Sequence, residues 1–205
     1  ECKEYGIIKI NPTVRIKWPP LDELMPKPLD EEILFKLKEA AKGSPRDRSL
    51  IETLHCTGVR VSELINIRQD DIWWDTREIW IRKGKGLKER NVIFTLFCKE
   101  LLQKYLKSRN DNFPYLFATK SKNGLRKFTR QEIWEIIKIY CEEAGINPDG
   151  ISPHSLRHSF ATEMKEKGAE LVFLADLLGH ADANNVKLYT KVTSQRMRSE
   201  YDKYH

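Results

Sequence analysis

Apolar residues recur at helical spacing along most of the chain and alternate in only one short region. Asp30 precedes a stripe of Ile33, Leu34 and Leu37, which predicts a capped helix to about Ala41. Pro45 opens a second helix, with Leu50, Ile51 and Leu54 inward, that stops at Thr57-Gly58. Residues 59–64 begin a short third helix. From 78 to 82 the period falls to two, with Ile79 and Ile81 on one face and Trp80 on the other, and residues 91–94 form the returning strand. Residues 115–117 read as a third, short strand. Helices are predicted over 97–107, on Leu101, Leu102, Tyr105 and Leu106, and from Thr129 or Arg130 to about Ala144, on Ile133, Trp134, Ile137 and Tyr140. Gly145 stops the second of these. Ser152 and Pro153 start another helix that Gly168 closes, and the apolar run 171–178 ends at Gly179. A polar helix over 193–203 comes last, with Val192, Met197 and Tyr201 as its chief apolar residues. The pattern predicts an α+β fold, mainly helical, with a small antiparallel three-stranded sheet.

Composition narrows the partners. Lys and Arg number 36 against 30 Asp and Glu, a formal charge of +6 that suits an anionic partner. Two basic loops stand out. Residues 83–90 place Lys83, Lys85, Lys88 and Arg90 among Gly84 and Gly86 at a hairpin tip. Residues 120–130 carry Lys120, Lys122, Arg126, Lys127 and Arg130. Glycine lets a backbone approach a groove closely, so both loops are candidate DNA contacts. Cys2, Cys56, Cys98 and Cys141 are scattered, without metal-ligand spacing, which points to idle thiols in a reducing compartment such as the cytoplasm. No apolar run approaches the roughly 18 residues of a membrane span. The start at Glu1 predicts an excerpt or a processed form, and residues 1–28, rich in proline and lysine, read as a linker or arm.

The chemistry concentrates in residues 152–190. His154 and Arg157 are three apart on one helix, about 60° around its axis. His180 follows Gly179, and Tyr189 lies nine residues further on. A cation, imidazoles and a phenol in one region suggest phosphate chemistry. Thr57-Gly58-Val59-Arg60-Val61-Ser62-Glu63-Leu64 resembles the first arginine motif of the tyrosine recombinases, the phage integrase or Xer family. Gly84-Lys85-Gly86-Leu87-Lys88-Glu89-Arg90 resembles that family's hairpin with the active-site lysine. His154-Ser155-Leu156-Arg157-His158 is similar to its His-x-x-Arg box, and Leu178-Gly179-His180 with Tyr189 is similar to its last two elements. Residues 181–185 depart from the Ser/Thr-rich segment common there. The resemblance covers about residues 29–205. It implies a catalytic domain of that fold, with 1–28 the link to a separate N-terminal DNA-clamping domain.

The implied roles agree with what the residues can do. A phenol has a pKa near 10 and needs aiming and deprotonation, the task of Tyr189 with help from His154. Arg60 and Arg157 suit the non-bridging oxygens of a five-coordinate phosphorus, and His180 can donate to the same phosphate. Lys85 is the candidate acid for the leaving 5′ oxygen. Lys83 and Lys88 compete for that role, but its place between two glycines and the family match favour Lys85. Glu63 either orients Arg60 or is a surface carboxylate, and His158 either joins the set or only packs. The scheme needs neither metal nor nucleotide cofactor. The implied partner is double-stranded DNA, bound by a homotetramer assembled from free monomers, with the 193–203 helix expected to dock on a neighbouring copy because it can bury little on its own domain. A type IB topoisomerase-like activity and a non-catalytic helix-turn-helix module over 170–189 are the alternatives. The module leaves Arg60 and Arg157, 97 residues apart, without a purpose.

Overall fold

The computed structural model describes residues 28–82, 89–179 and 194–205, and in it one buried helix sets the position of nearly everything else. This helix, α2 (Pro45–Thr57), follows α1 (Glu31–Ala40) and a tight turn at Ala41–Gly43. Ser44 caps α2 by accepting from the Asp47 amide at 3.2 Å, and Pro45 occupies the first turn, where no amide donor is needed. Every residue from Asp47 to Thr57 is buried, polar ones included. Those polar groups find partners: Thr53 and Thr57 donate to carbonyls one turn back, and His55 sits between Lys38 Nζ at 3.1 Å and Glu163 at 2.9 Å. α1 packs Leu34 and Leu37 inward as its stripe predicts. Asp30 stands at its N-cap position, but the side chain accepts no bond there, contrary to expectation.

A short α3 (Val61–Leu64) leads to a three-stranded antiparallel sheet in the order β1 (Ile72–Trp73), β2 (Glu78–Ile81), β3 (Arg90–Ile93). Ile79 pairs with Val92 and Ile81 with Arg90, so these residues share the inward face. The strand count agrees with the prediction, but the third member does not. Residues 115–117 join no sheet: Tyr115 forms an isolated bridge with Arg68, and the Leu116 amide donates to Ile67 O at 2.8 Å. Much of the basic loop expected at 120–130 is in fact a second hairpin, β4 (Thr119–Ser121) with β5 (Gly124–Arg126).

α4 (Leu96–Ser108) and α5 (Arg130–Glu143) flank α2 and α1, capped by Thr95 and Thr129. Trp134 faces out, 38% exposed beneath Lys138, rather than inward. The buried stripe of α5 is Ile133, Ile137 and Cys141, each four residues from the next, and Trp134 lies about 100° off it. Then come α6 (Pro153–Glu166), α7 (Leu171–Leu178) and α8 (Ser194–Tyr204). Gly168, at φ 94°, closes α6 as expected. Around α6 and α7 lies a second core of Ile93, Phe160, Met164, Ala169, Leu174, Leu177, Leu178 and Tyr201.

Tyr201 overturns the premise that α8 has little to bury on its own domain. It is 1% exposed and donates to Cys56 O at 2.6 Å. Arg198 reaches Glu78 at 3.1 Å, and both carboxylate oxygens of Asp202 accept from Arg77 Nη2, at 2.8 and 2.6 Å. One aromatic anchor and two ion pairs dock the helix without a long apolar stripe. Cys56, Cys98 and Cys141 are buried free thiols. No helix among the described residues is long and apolar enough to cross a membrane.

Candidate active site

The site begins where α2 ends. Gly58 takes a left-handed conformation, φ 60°, and a Cβ there would lie 2.4 Å from Phe160 Cδ1. Only glycine meets both demands, so the chain turns sharply and presents Arg60 at the start of α3. Glu63 holds the turn: its carboxylate accepts from the Arg60 amide at 2.8 Å and from Arg60 Nη1 at 3.2 Å. Glu63 is therefore an internal partner of Arg60 and not a surface carboxylate, being 7% exposed.

Arg157 arrives from α6. Its guanidinium donates through Nη1 to Gly58 O and through Nη2 to Leu178 O at 2.7 Å. Arg60 Nη2 donates to Gly179 O at 3.3 Å. Arg90, from β3, donates through Nε to Leu177 O at 2.7 Å and grips Glu63 with both remaining nitrogens at 2.9 Å each. Three successive carbonyls at the end of α7 thus accept from three different arginines. Helix-terminal carbonyls lack intrahelical donors and carry the negative end of the macrodipole, so cations there are favoured. The residue after Gly179 is His180, so the site's backbone continues directly into another of the predicted residues.

Charge is out of balance at this place. Arg157 is 6% exposed, and burial, then repulsion from Arg60 and Arg90, pushes its pKa down to about 10 against the pull of Glu63. Burial works to raise the Glu63 carboxyl, but the Arg90 and Arg60 contacts outweigh it and hold it below its ordinary value. Among the described residues, the Glu63 carboxylate faces the Arg60, Arg90 and Arg157 guanidiniums. The arrangement is suited to receive an anion with two acceptor oxygens, the shape of a phosphodiester.

His154 lies on the first turn of α6 with its side chain exposed, and His158, one turn on, is half-buried. Lys85, His180 and Tyr189 lie outside the described residues, as do Lys83 and Lys88. Arg90, expected among the DNA contacts, is 8% exposed at the side chain, and all three of its nitrogens are engaged inside the fold. Lys120, Lys122 and Arg130 are exposed, and no ion pair among the described residues engages them. Arg126 is held by Glu132 at 2.6 Å, and Lys127 by Asn66 at 2.7 Å and the Tyr115 ring. Strand alternation would have found Arg90's inward side, since it shares a face with Val92. Among the described residues no group of three or more His, Cys, Asp and Glu side chains is arranged to hold a metal ion.

The profile of the phage integrase family matches residues 28–196. The tyrosine recombinase XerA of Pyrococcus horikoshii is 35% identical over 189 residues, 92% of this chain and 65% of the relative's own length. The tyrosine recombinase XerD of Oceanobacillus iheyensis is 37% identical over 205 residues, 95% of this chain and 67% of that protein. The chain therefore spans about two thirds of these relatives. Among solved structures, a XerA recombinase superposes with a TM-score of 0.69 at 31% identity, over 92% of this chain and 69% of the other. A XerH site-specific recombinase, solved bound to its difH substrate before cleavage, superposes at 0.65 and 26% identity, over 87% and 50%. Sequence profile, relatives and fold agree with the arginine cluster, and the chain belongs to the phage integrase family.

Proposed function

We propose that this chain is the catalytic part of a site-specific DNA recombinase that cuts and rejoins strands through a 3′-phosphotyrosyl bond to Tyr189. The observation that carries this reading is the convergence of Arg60 and Arg157 on the adjacent carbonyls of Gly179 and Leu178. Residues 97 apart in sequence meet at the doorstep of His180, nine residues before the tyrosine.

The Tyr189 phenol attacks phosphorus, with His154 taking its proton. Arg60 and Arg157 bind the two non-bridging oxygens, where charge builds in the five-coordinate transition state, and His180 adds a hydrogen bond. Their donors are pre-set by backbone carbonyls and Glu63, so little reorganisation accompanies the reaction. Lys85 protonates the 5′ oxygen as it leaves. The bond between phosphorus and the 5′ oxygen breaks as the bond to the phenol oxygen forms. A 5′-hydroxyl from another strand then reverses the step and restores the phenol. The bond energy stays in the phosphotyrosyl ester, so neither nucleotide nor metal enters the scheme.

The partner is double-stranded DNA, approached by Lys83, Lys88, Lys120, Lys122 and Arg130, with Arg126 and Lys127 at the margin of the same surface. The free protein is a monomer, a reading supported by α8, whose one buried aromatic is accommodated within its own fold. Four copies assemble on two DNA sites. The test uses two duplexes, with distinguishable ends, that carry the attachment sequence flanking the parent gene. Exchange of ends between them supports the recombinase reading. Relaxation of supercoils without exchange transfers the chemistry to a topoisomerase, and binding without any strand cleavage removes it.

A further inference from the structure

Arg90 is a buried cation that the scheme above does not use. It sits on the inward face of β3, opposite Ile81, at the edge of the cluster that holds Arg60 and Arg157. Its three nitrogens serve two different structures. The fork of Nη1 and Nη2 clasps the Glu63 carboxylate at 2.9 Å on each side, and Nε donates to Leu177 O at 2.7 Å. Glu63 in turn carries the Arg60 amide and guanidinium. One planar group therefore links the loop that presents Arg60 to the end of the helix that leads into His180.

The packing at this point leaves no slack. A Cβ on Gly179 would lie 2.8 Å from Arg90 Nη1 and 3.0 Å from its Cζ, so the helix end rests directly on the guanidinium. A lysine has the charge but not the fork, and cannot reach two carboxylate oxygens and a carbonyl at fixed angles. We infer that Arg90 is a positioning residue: acting through Glu63 and through the Leu177 carbonyl, it sets the distance between Arg60 and the end of α7. The inference rests on the recombinase reading for its effect on rate, but not for its geometry.

Two consequences separate positioning from mere stability. Displacing Arg90 should slow the chemical step without weakening DNA binding, because a side chain that reaches no phosphate releases no counterion. Its effect should also vanish where Arg60 is already gone, because residues that act as one unit do not add.

The experiment compares Arg90→Met, Arg90→Lys and Gly179→Ala with the parent chain of 205 residues. Amide hydrogen exchange is read by mass over peptides covering 171–179, with 130–143 as the control. The last turn of α7 should exchange faster in all three variants while α5 stays unchanged. On DNA, covalent attachment at saturating substrate should slow about a hundredfold in Arg90→Met, the loss that a small displacement of reacting groups produces. DNA affinity should hold within about threefold. Arg90→Lys should recover most of the thermal stability but not the rate. Arg60→Ala combined with Arg90→Met should be no slower than Arg60→Ala alone. Unchanged exchange at 171–179 in Arg90→Met and Arg90→Lys overturns the inference, as do additive losses in the double variant. Should the parent chain attach to no DNA at all, the recombinase reading has failed, and the exchange measurement decides the geometric claim by itself.

Discussion

Arg157 keeps its charge in a place that taxes it. Burial and two neighbouring guanidiniums lower its pKa to about 10, below the ordinary arginine value, so the folded chain binds this proton less well than the unfolded one. The penalty is fully present below about 10 and is relieved only as pH rises from there towards the ordinary arginine value. At neutral pH the free protein therefore bears this penalty, and on the proposed reading a phosphate bound between Arg60 and Arg157 would remove it. Adding DNA should raise the melting temperature of the parent chain by more than it raises that of Arg157→Met. Equal shifts would mean that no anion meets this guanidinium. Arg157→Lys, which loses the fork but not the charge, should slow covalent attachment roughly 10²–10³-fold, the usual loss for one transition-state donor. A rate within tenfold of the parent would remove Arg157 from the phosphate site.

At the scale of elements the strictest constraint is the turn at Gly58, which joins the central helix to the arginine it presents. Gly58→Ala meets a left-handed conformation, about 1–2 kcal/mol, and a collision with Phe160, about 1–3 kcal/mol. Urea denaturation should show the midpoint falling with the slope unchanged, and a stability loss below about 0.5 kcal/mol would contradict the packing. The start of α5 offers a pH test. Its Glu132 is held down to about 2, first by the Arg126 hydrogen bond and then by Thr129, against the effect of burial. That stability is present above the ordinary value of 4.5 and fades as pH falls towards 2. Glu132→Gln should lose up to about 1 kcal/mol at pH 7, since the pair is partly exposed, and the gap should close in acid. These capped helices were legible because caps, stripes and glycine stops repeat one period. β1 was not, since two residues, Ile72 and Trp73, carry no period at all. The apolar run 115–117 read as a strand because the pattern could not show that Leu116 is taken by Ile67. Arg90 is grouped with the DNA contacts in sequence because it ends a basic loop, although strand alternation from Val92 already points it inward, where the fold engages it. The arginine motifs were legible one by one. That three arginines divide the last carbonyls of α7 among them is a tertiary fact, and no spacing encodes it.

Across the whole molecule, the proposed reading gives one surface to DNA, and α8 braces the frame behind the site. Tyr201 lies in the second core with Phe160, six residues after His154 on α6, and its hydroxyl ties to the end of α2. Tyr201→Ala should therefore destabilise the free chain by about 3–5 kcal/mol, where an undocked tail would lose almost nothing. DNA binding should fall with salt at roughly 0.9 log unit per phosphate contact for each tenfold change. Removal of Lys120, Lys122 and Arg130 should make that slope shallower, and an unchanged slope would take the second hairpin off the DNA. Strand cleavage should survive a chelator, and a requirement for Mg²⁺ would contradict the phosphotyrosyl route. The central claim is that these parts exist to deliver Tyr189 to a phosphodiester. The most direct measurement incubates the chain with a nicked target duplex that traps the first step, then looks for protein covalently joined to a DNA 3′ end. The parent chain should form that species, with the DNA on the peptide containing Tyr189, and Tyr189→Phe should bind the same duplex with equal affinity and form none. Covalent complex undiminished in Tyr189→Phe would contradict the account.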